Sequence, residues 1–268
     1  MSTLFRGDRA RVERDDRVAV LVLDDPERRN ALTQPMVDDI VAGVDAVEAD
    51  ETIGALVVTG APPAFCAGAD LGDLAASSGD GSAGPDLAAE ASLRAIYEGF
   101  LRVARCRIPT VAAVNGAAVG AGLNMAMGCD VRVVAESARF DSRFLALGLH
   151  PGGGGTWLLH RALGPQTTAA MSLFGERLDG RQAVEVGLAW ACVPDTEVVD
   201  AAVEMASRAA AAPRDLAIRV KETLRGWDAV TAHDQAVDAE LAPQIWSVNQ
   251  PAFRERLGAL RRQISSPR

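Results

Sequence analysis

Valine-rich apolar runs punctuate the first half of the chain: VAVLVL at Val18–Leu23, ALVVT at Ala55–Thr59, VAAV at Val111–Val114 and VRVV at Val131–Val134. Each has the length of a strand, and so few polar positions suit strands covered on both faces. Between the first two runs, Met36, Val37, Ile40, Val41, Val44 and Val47 recur at helical spacing, which predicts an amphipathic helix over Gln34–Ala49. Leu93, Ile96, Tyr97, Phe100, Leu101 and Val103 repeat the pattern and predict a second helix over Leu87–Ala104. Just before it, SSGDGSAGP (77–85) has the composition of a mobile surface loop. Strand signals stop near Thr196, and Ala-rich helical segments follow at 196–212, 213–225, 230–247 and 250–263. The pattern is that of an α/β body over 1–195 followed by a helical region over 196–268. No sequence repeat of fixed period is present, yet a body of strand, strand, helix turns can form a spiral whose repeats share shape without sharing residues.

Composition narrows the function classes. The chain has 268 residues, 49% of them hydrophobic and 24% charged, the balance of an ordinary globular protein with one large core. Its formal net charge of −9 provides no global field for nucleic acid, so no nucleic-acid partner is expected. No stretch reaches the roughly 20 apolar residues of a membrane span. The charged opening MSTLFRGDRARVERDDR is unlike a signal peptide, which makes the cytoplasm the expected location. Cys66, Cys106, Cys129 and Cys192 lack CxxC spacing and read as reduced thiols rather than disulfide or zinc ligands. Lys221 is the only lysine, so PGGGGT (151–156) is no phosphate loop of the Gly-Lys-Ser/Thr kind. His150, His160 and His233 are too far apart in sequence for a helical metal pair, and the GxSxG nucleophile elbow does not occur.

Chemistry points first to Pro109–Asp130, PTVAAVNGAAVGAGLNMAMGCD. A buried strand runs through a glycine-rich turn into an apolar helix, so the unpaired amides of the helix N-terminus face whatever sits at the turn. Such a place holds an anion or a developing oxyanion. Gly116, Gly120 and Gly122 also spell the GxxxGxG of a short-chain dehydrogenase, but the partner Tyr-x-x-x-Lys is missing, since the single tyrosine, Tyr97, has Leu101 four residues on. A second glycine turn, AFCAGADLGDL (64–74), follows the strand at Ala55–Thr59.

With PERRNAL (26–32), AFCAGADL (64–71), NGAAVGAG (115–122) and FGERLDGRQAVEVGLA (174–189) in register over nearly the whole length, the chain resembles the crotonase superfamily, the enoyl-CoA hydratase/isomerase family. The resemblance implies a ββα-spiral body with a helical C-terminal trimerisation region, assembled as a homotrimer or a dimer of trimers. It implies an acyl-CoA thioester as partner, with coenzyme A arriving as part of the substrate and no separate cofactor or metal. The two backbone N–H groups of the family's oxyanion hole match Ala69 and Ala121. Arg28 and Arg29 match its basic motif and, with Ala67, are the candidate coenzyme A contacts.

The same alignment puts Asn124 and Phe144 where hydratases of the family carry two water-handling glutamates, and neither side chain is an acid or a base. Isomerases of the family keep a carboxylate at the second position or eight residues further on, which here is Gly152. Asp141 and His150 are the nearest titratable groups and the candidate substitutes, although Asp141 has arginine neighbours to pair with and His150 a backbone carbonyl beside Pro151. Two readings stay open: an acyl-CoA-binding enzyme of fatty-acid or related acyl-CoA metabolism, a lyase or isomerase by family with an atypical active site, or a non-catalytic acyl-CoA carrier or sensor.

Overall fold

The computed structural model describes residues 1–76 and 87–265. The loop expected at 77–85 lies outside the described residues.

Among the described residues, eleven strands form two sheets. In chain order they are β1 (Ser2–Arg6), β2 (Ala10–Asp15), β3 (Val18–Leu23), β4 (Ala55–Gly60), β5 (Ala64–Cys66), β6 (Thr110–Val114), β7 (Ala117–Val119), β8 (Val131–Ala135), β9 (Arg139–Asp141), β10 (Leu178–Asp179) and β11 (Ala191–Val193). The helices are α1 (Gln34–Ala49), α2 (Leu71–Ala76), α3 (Leu87–Ala104), α4 (Ala121–Gly128), α5 (Gly155–Leu173), α6 (Gly180–Glu185), α7 (Val198–Ala210), α8 (Arg214–Gly226), α9 (His233–Val248) and α10 (Pro251–Ser265). Helix α5 is broken where Gly164 leaves helical φ/ψ ahead of Pro165.

The larger sheet has the order β1-β2-β3-β4-β6-β8-β11, antiparallel across β1, β2 and β3 and parallel from β3 onward. The smaller has the order β10-β9-β7-β5, with β5, β7 and β9 parallel. The connection is a spiral: β4, β6 and β8 each enter the large sheet, the next strand (β5, β7, β9) turns into the small one, and a helix returns. These are the strand, strand, helix turns that the apolar pattern allows. Every residue of β3 and β4 is buried, and so is every residue of β5 and β6, as strands covered on both faces must be.

Alanine sets how close the layers come. β6 is TVAAV and β7 is AAV, while α7 puts Val198, Ala202, Ala206 and Ala210 in one buried stripe at successive turns against the large sheet. The single lysine then ties α8 to that sheet. Lys221 is 5% exposed, donates to the Ile108 carbonyl at 2.7 Å, and pairs with Asp130 at 2.7 Å; Asp130 in turn accepts from the Thr110 amide and hydroxyl. Beyond it the packing thins. Ile218 is covered by the body, but Val220, Leu224, Leu241, Ile245 and Val248 are exposed, and neither α9 nor α10 contains a buried residue.

The register of the small sheet positions the site. Cys66 pairs with Ala118 and Ala118 with Phe140, so the carboxyl ends of β5, β7 and β9 lie at one edge. The turns Ala67–Asp70, Gly120–Ala121 and Ser142–Phe144 therefore leave the sheet side by side.

Candidate active site

Where those three turns leave the small sheet, a cavity of about 670 Å³ opens. Ala67, Gly68, Ala69 and Asp70 line one side and Val119, Gly120, Ala121 and Asn124 the next; Ser142, Arg143 and Phe144 come from the third turn. Leu93, Ile96, Tyr97 and Phe100 of α3 close the apolar wall, and Arg28 stands at the rim. Openings at the carboxyl ends of parallel strands are where α/β proteins place ligands, because the helices that follow aim their amides there.

Two glycines bring the first two turns together. Gly68 has φ +94°, and a side chain there would strike the Val119 carbonyl and come to 3.4 Å from the Ala121 amide nitrogen. Gly122 sits so close to β5 that a Cβ would overlap the Cys66 carbonyl oxygen. The Ala121 amide opens α4, and no side chain caps that helix end. The neighbouring turn is held from behind: Leu32 forms a parallel bridge with Ala69, and the Ala67 amide donates to the Arg29 carbonyl at 3.0 Å. Behind that loop, the buried Asn30 carboxamide donates to Ala61 and Ala64 at 2.8 Å each and to Phe65 at 3.3 Å, while its oxygen accepts from the Asp25 amide. A single side chain thus fixes the loop of the PERRNAL motif to the approach of β5.

Among the described residues the facing wall carries no carboxylate. Asn124, 4% exposed, donates from Nδ2 to the Gly152 carbonyl at 3.0 Å. The loop holding that carbonyl lies tight against it, since a Cβ on Gly155 would overlap the Asn124 carboxamide oxygen. Phe144 turns its ring tip toward the α4 entry, 3.6 Å from where a Cβ on Gly120 would stand. His150 lines the cavity from an exposed loop, and its Nδ1 lies 2.7 Å from the Pro151 carbonyl oxygen. Burial pushes the Cys66 thiol up to about 12, against a weaker opposing hydrogen bond from Gly68, so the thiol in this turn stays protonated and is no nucleophile.

The structure thus gathers Arg28, Ala67, Ala69, Ala121, Asn124, Phe144 and His150 at one cavity and leaves two sequence candidates outside it. The Arg29 side chain is exposed and does not line the cavity; what it contributes is its backbone, at φ +52° with its carbonyl on Ala67. Asp141 is buried on the other side of its strand, where Arg143 at 2.7 Å and Arg177 at 3.0 Å neutralise it in a separate cleft. Its carboxylate is taken up by these two ion pairs and does not line the cavity. Arg28 itself faces Asp70 at 3.7 Å, so the rim carries a paired rather than an isolated cation. Sequence reasoning passed over Ser142, took Arg143 only as a neighbour for Asp141 to pair with, and took Tyr97 as part of an apolar helix face and as evidence against a Tyr-x-x-x-Lys pair. The signal was present for Tyr97, a lone phenol on an otherwise hydrophobic stripe.

A profile of the enoyl-CoA hydratase/isomerase family matches residues 13–252. The chain is 47% identical to a probable enoyl-CoA hydratase of Mycobacterium tuberculosis, EchA14, over 91% of this chain and 94% of that one. It is 35% identical to the 1,2-epoxyphenylacetyl-CoA isomerase of Escherichia coli, with 90% and 91% covered. Among solved structures, a putative enoyl-CoA hydratase/isomerase from Mycobacterium abscessus superposes with a TM-score of 0.86 at 28% identity, covering 95% of this chain and 96% of that one. The protein belongs to the enoyl-CoA hydratase/isomerase family of the crotonase superfamily. Among the described residues no helix is long and apolar enough to cross a membrane, and no cluster of His, Cys, Asp and Glu is placed to hold a metal ion.

Proposed function

We propose that this protein binds acyl-CoA thioesters with the thioester carbonyl oxygen on the amides of Ala69 and Ala121, and that it does not hydrate enoyl groups by a two-carboxylate mechanism. The convergence of the two turns carries the reading: Gly68 packs against the residue whose amide opens α4, so both N–H groups belong to one small concavity. Each amide so placed stabilises a developing enolate oxygen by about 3 kcal/mol. The acyl chain would lie along Leu93, Ile96 and Phe100, and coenzyme A would leave past Arg28. Coenzyme A arrives with the substrate, so the reading requires no separate cofactor.

Asn124, Phe144 and Gly152 offer no proton-transfer group at the three positions where relatives hold carboxylates. A positioned acid or base contributes about 10²–10⁴-fold, and two acting on one water need not multiply, yet losing both brings hydration near background. The family resemblance supports an enzyme of acyl-CoA metabolism acting through enolate stabilisation. The bare wall favours, as a second reading, a carrier or sensor that keeps the pocket without turnover.

Titration calorimetry with a panel of acyl-CoAs, together with a crotonyl-CoA hydration assay, tests this. Micromolar binding with turnover far below the usual enzymatic range of about 1–10³ s⁻¹ is expected. No heat with any acyl-CoA overturns the binding site, and normal hydratase turnover overturns the second half. The exposed apolar faces of α8 and α9 fit assembly of this chain in the cytoplasm as a trimer or dimer of trimers, which sedimentation checks.

A further inference from the structure

Tyr97 projects from α3 into the same cavity, one turn before Phe100, its ring tilted at 48° to the Phe100 ring with centroids 5.6 Å apart. The other α3 residues lining the cavity, Leu93, Ile96 and Phe100, are hydrocarbon, so the phenol oxygen is the polar atom that this helix presents. It reaches Gly152: a Cβ on Gly152 would overlap the Tyr97 hydroxyl. The hydroxyl therefore fills the space a side chain at 152 would take. The Gly152 carbonyl is the one that holds Asn124, and Asn124 stands one helical turn beyond the Ala121 amide, its own amide donating to the Gly120 carbonyl at 3.0 Å. The Ala121 amide, Asn124, Gly152 and Tyr97 thus follow one another around a single wall. Among the described residues the Tyr97 hydroxyl has no hydrogen-bond partner.

A phenol facing a pocket next to the reacting end, with its O–H unclaimed, is a donor for an oxygen on the bound acyl group. We propose that Tyr97 is a specificity-determining residue that donates a hydrogen bond to an oxygen substituent on the acyl chain close to the thioester, so that the site selects oxygenated over plain hydrocarbon acyl groups. The inference rests on the acyl-CoA reading above. The glycine at 152 is then what admits the hydroxyl.

The test is calorimetry of wild type, Tyr97→Phe and Gly152→Ala with hexanoyl-CoA, 3-hydroxyhexanoyl-CoA and 3-oxohexanoyl-CoA. Wild type should bind at least one oxygenated chain about fivefold or more tighter than hexanoyl-CoA, the size of one net hydrogen bond. Tyr97→Phe, which keeps the ring against Phe100, should erase that preference while still binding the acyl-CoAs, with the melting temperature unchanged. Gly152→Ala, whose methyl would displace the hydroxyl, should reduce it as well. Binding of all three chains with no preference in wild type, or the same preference in wild type and Tyr97→Phe, overturns the role of Tyr97 alone. Absence of binding by every chain overturns the acyl-CoA reading and this inference with it.

Discussion

The two sides of the cavity are built from different materials. On the Ala69 and Ala121 side the proposed working atoms are backbone amides, and the side chains there, methyl groups and glycine hydrogens, matter through the space they leave free. On the opposite side, positions 124, 144 and 152 present a carboxamide, a phenyl ring and a hydrogen, and the Gly152 carbonyl holds the carboxamide. The first side is constrained by steric contact: Gly68 and Gly122 touch neighbouring backbone, so almost any replacement moves the amides. On the second, Asn124 is held by a hydrogen bond to the Gly152 carbonyl. On the proposed reading, one pocket keeps oxyanion stabilisation without a carboxylate pair.

The comparison breaks most visibly at the amide side. Gly122→Val puts a branched side chain onto the Cys66 carbonyl and should destabilise the fold by about 1–3 kcal/mol. It should also weaken acyl-CoA binding by more than about tenfold, since one lost charge-directed hydrogen bond of 1.5–3 kcal/mol already has that size. Thermal melts and calorimetry check both. Unchanged affinity in a folded variant would mean that the turns do not hold the ligand.

The side-chain wall should respond by gain rather than loss. Asn124→Glu with Phe144→Glu should raise crotonyl-CoA hydration at least about tenfold above wild type, below the 10²–10⁴-fold of a well-placed acid or base because two facing carboxylates repel and raise each other's pKa. Glutamate at 124 must also fit beside Gly155, where the space is tight. A coupled spectrophotometric assay measures it, and the single variants separate the two contributions.

The effect that is smallest near neutral pH, where it vanishes, belongs to the thiol under the amide side. Burial raises the Cys66 pKa to about 12 in the folded state from 9.0 for an ordinary thiol. A group whose folded pKa is raised contributes stability that is whole below the unfolded pKa and is lost as pH climbs from there toward the folded pKa. Between pH 9 and 12 the unfolded chain gains by releasing this proton, so wild type should lose stability faster than Cys66→Ala by about 1 kcal/mol per pH unit. Chemical denaturation across that range reads the difference; parallel curves would show that the thiol is not buried as described.

How much of this was legible in the sequence follows the same division. Continuous apolar runs announced β3, β4, β6 and β8, and helical spacing gave α1 and α3, because burial on both faces or on one stripe leaves a periodic mark. The three-residue strands β5, β7 and β9 left none: AFC, AAV and RFD are too short for a period, and it is their register that makes the site. β2, ARVERD, reads as surface because charged side chains alternate along it. The amide pair was reached through family resemblance, as an N–H group is common to nearly every residue and only its glycine neighbours hint at it. Arg29 was picked out by the family's basic motif and Asp141 by residue type; the pairing of Asp141 with Arg143 could be read two residues away, but that with Arg177 could not. Tyr97 needed Gly152, which is 55 positions away in the sequence, to become visible.

The central claim, a backbone oxyanion site facing a wall without a carboxylate, is tested most directly by a crystal structure with a bound acyl-CoA. The account predicts the thioester oxygen about 2.7–3.1 Å from both the Ala69 and Ala121 amide nitrogens, with Asn124 and Phe144 beside the α- and β-carbons and no carboxylate or free imidazole nitrogen within about 3 Å of them. A thioester oxygen away from either amide, or a titratable side chain such as His150 in contact with those carbons, would contradict it.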